Sequence, residues 1–506
     1  MKDKVLFWFG IDFTQFCMAY YFQKKYDCDM YSIVDITNKT KDFFKQQKLI
    51  SFKETWYLHD QYDSKLKPNV DYLKKFEEKY QIDLWQLAIN ERIFYTFNDF
   101  YKFSENEILS IMEQICRFYE NIFEKVSPDF FVTKLTTFHH LELFRLMCKY
   151  HNTKILMLNT PKLAKQNLIA QDHDKVDYIQ NLDEIQCEPK DFEELRNYIQ
   201  SKNTKNLVQN FLNKHAENSN SLKLKTLWNF LSSPNTNIKT NYNYYGRTKF
   251  NVLKNAFDLQ IRKKIRKSFI DKNLIRDPDL SHPYVYFPLG VALERHILIG
   301  APYFTNQIEL LRHLAKSLPV GYRLLTKENQ AQSSREWRPI SEYKEMMDIP
   351  NTTVIHPSYP QTELLKNSSL VATITGSSSF EAAFYQKPSI VFGDVIYSYL
   401  PSVMKVKTIE DLPKIIKKSL TVNVNAFDLS KFLQMMNDNV IDFEFIEFVS
   451  EFEQRFLYSG GFRDVNINEN ELLTFLNEKE KDLTYLAQCH VKKIKQHKKY
   501  SSKGDF

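Results

Sequence analysis

The sequence predicts an α/β protein built from two Rossmann-type parallel-sheet domains, with a helical insertion between them and a helical C-terminal tail. Three observations carry this. Apolar strand-like runs alternate with helix-period segments over residues 1–190, they do so again over 283–425, and glycine is concentrated in that second stretch. At 506 residues the chain is too long for one ordinary core and suits two or three domains. The expected sections are 1–190, 191–282 (insertion or linker), 283–425 and 426–506 (tail).

In the first section, VLFWF at 5–9 reads as a buried strand closing at Gly10, followed by a helix over 13–25 and a strand at 31–34. FFVT at 130–133, a helix over 140–150 and KILML at 154–158 make a βαβ unit with a right-handed crossover. Residues 191–282 show no clear strand, and SSPNTNIKTN at 232–241 reads as an exposed loop. In the third section strands are expected at 284–287, 322–326, 352–355, 370–374, 389–392 and 405–406. Helices are expected between them at 307–317, 361–367 and 380–386, and after them at 409–420. Five of the ten glycines (Gly290, Gly300, Gly321, Gly376 and Gly393) fall here, which points to positive φ or close ligand approach.

Hydrophobic residues at 43% and aromatics at 15% exclude disorder for most of the chain. No stretch approaches the roughly 20 apolar residues of a membrane-spanning helix. The run at 5–9, flanked by Asp3 and Asp12, is too short for a signal peptide, so the expected location is cytoplasmic. Six scattered cysteines without CxxC spacing read as reduced core thiols, and no metal site is expected. The net charge of +7 is uneven: Lys492, Lys493, Lys495, Lys498, Lys499 and Lys503 crowd the end, and RKKIRK occupies 262–267. Two such patches suit an anionic glycan or the inner face of an anionic membrane, and a solvated helix face with a frayed tail accounts for them equally. No nucleic-acid-binding motif accompanies the charge, so no nucleic-acid partner is expected.

The chemistry gathers in LVATITGSSSFE at 370–381, a buried strand running through a Gly/Ser turn into a helix. Ligands bind at this end of strands in open parallel sheets, and a helix start attracts anions. Thr375 opens the turn, Gly376 lets a phosphate approach the backbone, and Ser377, Ser378 and Ser379 offer hydroxyl donors. Ser378 and Glu381 also have capping-box spacing, which gives both a structural role. In TTFHH at 136–140, His139 or His140 stands at a strand end where an imidazole can deprotonate a hydroxyl, although helix capping or packing accounts for the pair as well. Asp12, just beyond Gly10, has similar geometry without a supporting neighbour.

The run TITGSSSFEAAFYQKPSIVFGDVIYSYLP resembles the bacterial capsule polysaccharide biosynthesis family, which includes Kdo transferases, in its Thr-Gly-Ser, Glu-Ala, Lys-Pro, Phe-Gly and Tyr positions. Phe287-Pro-Leu-Gly-Val-Ala-Leu-Glu294 is similar to the family's strand end. The resemblance spans about 283–410 and implies a GT-B architecture, two Rossmann-like domains facing a cleft, the C-terminal one holding the nucleotide. It implies sugar transfer from a nucleotide-activated donor to a surface-glycan or lipid-linked acceptor, without metal or resident cofactor, and a Glu381 contact to ribose. Glu294 (proton transfer) and Arg295 (donor orientation) then follow a strand ending toward that cleft, where a plain surface ion pair is the bland alternative.

One stretch departs from the family pattern: Lys327-Glu328-Asn329-Gln330 stands where Lys-Glu-His-Pro is common, a motif tied to cytidine nucleotides. That leaves two alternatives open, a non-catalytic scaffold binding a nucleotide sugar or partner transferase, and a sugar-nucleotide epimerase. Lys327 stays a donor-binding candidate. So does His356, in a loop that faces the base in many GT-B proteins.

Overall fold

The computed structural model describes residues 2–96, 98–161, 166–201, 227–228, 230–232, 242–292, 294–460 and 463–501. The chain forms two compact units. One comprises Met1–His173, Asn203–Val252 and Val440–Phe506, the other Asp174–Lys202 and Leu253–Asn439. The strands of the first unit are β1 (Lys4–Phe9), β2 (Asp29–Val34), β3 (Glu54–Tyr57), β4 (Phe130–Lys134), β5 (Lys154–Asn159), β6 (Asn167–Ala170) and, late in the chain, β13 (Val440–Ile441). Those of the second are β7 (Tyr284–Pro288), β8 (Arg323–Lys327), β9 (Thr352–Ile355), β10 (Leu370–Thr373), β11 (Ser389–Val391) and β12 (Val403–Lys405).

In the first unit the sheet order is β13-β6-β5-β4-β1-β2-β3. Strand β1 is central, with Val5 paired to Phe130 on one side and Met30 on the other, both parallel. Its continuous apolar run is what a strand covered on both faces requires. Strands β1 to β5 are mutually parallel, whereas β6 runs antiparallel to β5, and β13 antiparallel to β6, at one edge. The expected all-parallel sheet is thus a mixed one. The short strands β3, β6 and β13 escape pattern reading because two to four residues hold too little periodicity.

The helix Thr14–Phe22 is buried along almost its whole surface, as its sequence TQFCMAYYF demands. The end of the chain covers it: the Tyr21 hydroxyl donates to the Leu476 carbonyl at 2.8 Å, and Leu483, Leu486 and Ile494 of the helix Glu480–Ser501 join the core of Phe7 and Phe16. Phe13 and Phe452 stack with centroids 4.9 Å apart. The helix Glu480–Ser501 therefore completes the first unit. Lys493 is buried, Lys498 pairs with Asp3 at 2.6 Å, and Lys492, Lys495 and Lys499 are exposed; Lys503 lies outside the described residues.

The second sheet is parallel throughout, in the order β12-β11-β10-β7-β8-β9. Helices from the expected insertion pack into this unit. Arg196 of the helix Phe192–Ser201 donates to the Phe384 carbonyl at 3.2 Å, and Ile270 of the helix Lys249–Asn273 enters the core. The helix Ala426–Asn439 also packs here, Phe432 against Phe380 with centroids 5.2 Å apart. Of the loop expected at 232–241, residues 233–241 lie outside the described residues. Among the described residues no helix is long and apolar enough to cross a membrane.

If the terminal helix is part of the core, Leu483→Ala should cost about 2–5 kcal/mol. Denaturant melts would read this as a lower midpoint, with Lys495→Ala on the exposed face as an unchanged control. An unchanged midpoint for Leu483→Ala would contradict the packing described.

Candidate functional site

In the second unit the strand order reverses between β7 and β10, since β8 and β9 lie on one side of β7 and β10, β11 and β12 on the other. At such a point neighbouring loops leave in opposite directions and open a crevice at the carboxyl ends. The turn after β10 opens into that position. Thr375 donates to the His296 carbonyl at 3.1 Å, which ties it to the short helix Arg295–Leu298 after β7. The Gly376 carbonyl accepts the Tyr397 hydroxyl at 2.5 Å and the Thr373 hydroxyl at 3.3 Å.

The three serines face different ways. The Ser379 hydroxyl is buried against Thr373 Oγ1 at 2.6 Å, Ser378 Oγ accepts from Gln361 at 2.9 Å, and Ser377 Oγ donates to Glu381 at 3.1 Å. Only Ser377 and Gly376 keep partial exposure. Ser377, not Ser378, stands at the N-cap of the helix Ser378–Ala383, so the Ser378–Glu381 capping box does not form. The chain turns one residue earlier than the spacing suggested. That helix has six residues, fewer than two turns of aligned peptide dipoles. The Tyr286 hydroxyl on β7 is buried without a hydrogen-bond partner; burial first, then the Glu381 carboxylate, push its ionisation upward.

The glycines serve packing more than phosphate approach. A Cβ on Gly393 would lie 2.5 Å from Thr375 Cγ2 and 2.7 Å from the Gly300 carbonyl oxygen, so this loop closes against the site turn only without a side chain. Gly376 lacks positive φ, and a Cβ there would meet only the Thr373 side chain at 3.4 Å. The expectation of positive φ holds at Gly321 alone of the five.

Arg295 is buried and Glu294 half-buried at the start of their helix. Lys327 is drawn sideways: its ammonium donates to the Tyr359 carbonyl at 2.8 Å and to that of Pro357 at 3.4 Å. His356 accepts the Ser358 backbone N–H on Nδ1 at 3.1 Å, which leaves Nε2 to donate to Asp271 at 3.0 Å. That arrangement turns His356 toward the helix Lys249–Asn273. The fully buried Glu328 accepts from Arg338 at 2.8 Å and from the Tyr343 hydroxyl at 2.9 Å, while Arg338 also donates to the Gly290 carbonyl at 2.8 Å. This pair locks the loops after β7 and β8 together.

The first unit carries its own cluster at strand ends. Asp35, the residue after β2, accepts from His59 at 2.8 Å, from His140 at 2.9 Å and from the Trp8 indole at 3.4 Å. Glu91 accepts both the backbone N–H of His139, at 2.8 Å, and its ring Nδ1–H, at 2.9 Å. Lys134, ending β4, pairs with Asp12 beyond β1, at the point where this sheet reverses order. Burial lowers the pKa of His139, against the Glu91 carboxylate, which raises it. Burial opposes charge on His140 too, but the Asp35 carboxylate outweighs it and raises that pKa. For Asp35 itself burial is likewise outweighed, by His140 and then His59, and its carboxyl sits far below the ordinary range.

Both histidines are buried, and His139 Nε2 and His140 Nδ1 have no hydrogen-bond partner. Of the three residues put forward for proton transfer, only Glu294 keeps substantial exposure. Asp35, His59, Glu91, Lys134 and Arg338 were missed by sequence reasoning. A signal existed for Asp35 and Lys134, since each lies within two residues of the end of an apolar run.

These elements define an α/β protein with two Rossmann-like units, the first with a mixed sheet and the second with a parallel one. Residues 189–401 match the model of the family described as capsule polysaccharide biosynthesis protein. No curated protein matches the sequence. Solved structures similar to the chain include the UDP-GlcNAc 2-epimerase of Methanocaldococcus jannaschii (11% identity, TM-score 0.24, 87% of this chain and 100% of that one). Others are the β-Kdo 2,7 transferase KpsC of Thermosulfurimonas dismutans (11%, TM-score 0.28, 62% and 78%) and the spinosyn rhamnosyltransferase SpnG (10%, TM-score 0.25, 85% and 95%). At these TM-scores the likenesses carry no argument, and the fold rests on the strand topology.

Two measurements test the buried ionic groups. Glu328→Gln removes the closer of Arg338's two carboxylate partners, leaving Glu342 at 3.5 Å, and should cost about 1–3 kcal/mol in denaturant melts. Because the His140 pKa is raised, stabilisation by its pair with Asp35 is complete below the ordinary histidine value of 6.5 and fades as pH rises through the raised value. Because the Asp35 pKa is lowered, the same stabilisation fades as pH falls below the ordinary 3.8 toward its lowered value. The stability difference between wild type and Asp35→Asn should therefore peak between those limits and narrow at alkaline pH; a difference independent of pH would refute the ionic pairing.

Proposed function

We propose that the chain is a glycosyltransferase of capsule or surface-polysaccharide biosynthesis, moving a sugar from a nucleotide-activated donor to a glycan or lipid-linked acceptor. The observation that carries the reading is a coincidence of place. The family-matched segment 189–401 contains the reversal point of the second sheet, and the family-like Thr-Gly-Ser turn stands there with Gly376 and Ser377 partly exposed. Donor phosphate would meet the Gly376–Ser377 backbone and the Ser377 hydroxyl, with ribose at Glu381 and the unpartnered Tyr286 hydroxyl close by. Charge on the phosphate is met by these donors and by Arg295, without a bridging metal. Glu294 is the residue assigned to proton transfer. His139 and His140 serve it only if the acceptor reaches ring nitrogens that are now buried, and a lipid-linked acceptor places the protein at the inner membrane face.

One observation favours a binding-only variant of this reading. In the stretch that departs from Lys-Glu-His-Pro, the Lys327 ammonium is spent on two backbone carbonyls and Glu328 on Arg338. Donor hydrolysis separates the variants, since a scaffold binds donor and releases no sugar.

Calorimetry with CMP-, UDP- and CDP-activated sugars tests the site itself. Gly376→Ala should melt like wild type, because its Cβ fits, yet bind donor at least about tenfold more weakly, a difference of about 1.4 kcal/mol. Ser377→Ala should weaken binding by about 1.5–3 kcal/mol. Glu294→Gln should bind donor normally and lose turnover. If both turn variants bind like wild type, the turn is structural and the donor site lies elsewhere.

A further inference from the structure

The basic block at 262–267 does not act as a unit. Arg262 and Arg266, one turn apart, both face inward and hold Glu336, at 2.7 and 2.9 Å, and Arg266 also donates to the Trp337 carbonyl. They fasten the helix Lys249–Asn273 to its own unit. With that face committed, the opposite face is fixed outward, and its composition is unusual for a solvated helix. Leu253, Phe257, Ile261 and Ile265 stand every fourth residue and are 41%, 67%, 43% and 55% exposed. Spacing by four keeps them within an arc of about 120° and along about 18 Å of helix. Lys254, Lys264 and Lys272 are interleaved on the same side, all exposed, with no anionic partner among the described residues. The acids of this helix do not balance them: Asp258 is half-buried, and Asp271 is bound to Lys267 at 2.5 Å, Arg276 at 3.1 Å and His356 at 3.0 Å.

An exposed apolar stripe threaded with unpaired lysines is costly in water, and it matches the boundary of an anionic bilayer. There the apolar side chains enter the acyl region while the lysine stems extend and their ammonium groups reach lipid phosphates. We propose that this outer face, Leu253 to Ile265 with Lys254 and Lys264, is an interfacial membrane-binding surface for anionic phospholipid. The terminal lysines are not the anchor, because their helix is part of the core of the first unit and its apolar residues are turned inward. The inference rests on the membrane-linked acceptor of the proposed function for its biological sense, but vesicle binding is measured without donor or acceptor.

The test is flotation of the full chain with vesicles of phosphatidylcholine alone and of equal parts phosphatidylcholine and phosphatidylglycerol. Wild type should float with the anionic vesicles only. Phe257→Ser with Ile261→Ser, and separately Lys254→Glu with Lys264→Glu, should each reduce that partition by about tenfold or more. Both doubles replace exposed side chains, so melting curves and donor calorimetry should match wild type, while Lys492→Glu with Lys495→Glu should float normally. The proposal is overturned if wild type ignores anionic vesicles, if the helix variants float unchanged, or if the terminal variant alone fails. It is also overturned if the helix variants instead convert a dimer to a monomer in sedimentation, which would assign the face to a second copy of the chain. Loss of donor binding with flotation intact would sink the transferase reading and leave this surface standing.

Discussion

Everything proposed for the second unit depends on the position of β7 between β8 and β10. A parallel sheet gains its hydrogen bonds and apolar burial equally well in any strand order, so the order itself is neutral for the sheet. For the loops it is decisive. Beside β7 the chain proceeds outward in one direction through β8 and β9 and in the other through β10, β11 and β12. The loops after β7 and β10 thus meet at the reversal point, where Thr375 is tied to the His296 carbonyl. The Thr375–Ser377 turn stands at that reversal point, the usual ligand position of an open parallel sheet.

Buried charge ties the strand-end loops to one another in both units. Glu328 and Arg338 join two strand-end loops through a buried pair. Asp35 does the same in the first unit for His59 and His140. Residues of catalytic type are used here as fasteners. A parallel sheet collects its loop-borne polar groups at the carboxyl ends, and the same groups that suit chemistry also suit cross-linking when water is excluded. His139 and His140 are enclosed, whereas Glu294 and Ser377 are partly exposed.

Glycine shows how a local concentration of one residue can serve packing. Its concentration beyond residue 283 points to the functional end of the second sheet, and Gly290, Gly376 and Gly393 do stand at strand ends there. The reason at Gly393 is loop against loop, with Thr375 and Gly300 filling the space a Cβ would need. Crowding of that kind involves residues distant in sequence, so no local pattern reports it.

The sequence by itself determined the repeated strand–helix alternation, the class of fold and the strand–turn–helix at 370–383. Those follow from the period of apolar residues and from local turn chemistry, both written within a dozen consecutive positions. The tertiary structure alone decided which polar groups meet. It set Asp35 between His59 and His140, diverted Lys327 to the carbonyls of Pro357 and Tyr359, returned the last helix to the first unit's core, and turned Arg262 and Arg266 inward while leaving Phe257 and Ile261 exposed. Partners separated by tens or hundreds of residues are chosen by how sheets and helices pack in three dimensions, and a one-dimensional pattern does not encode that choice.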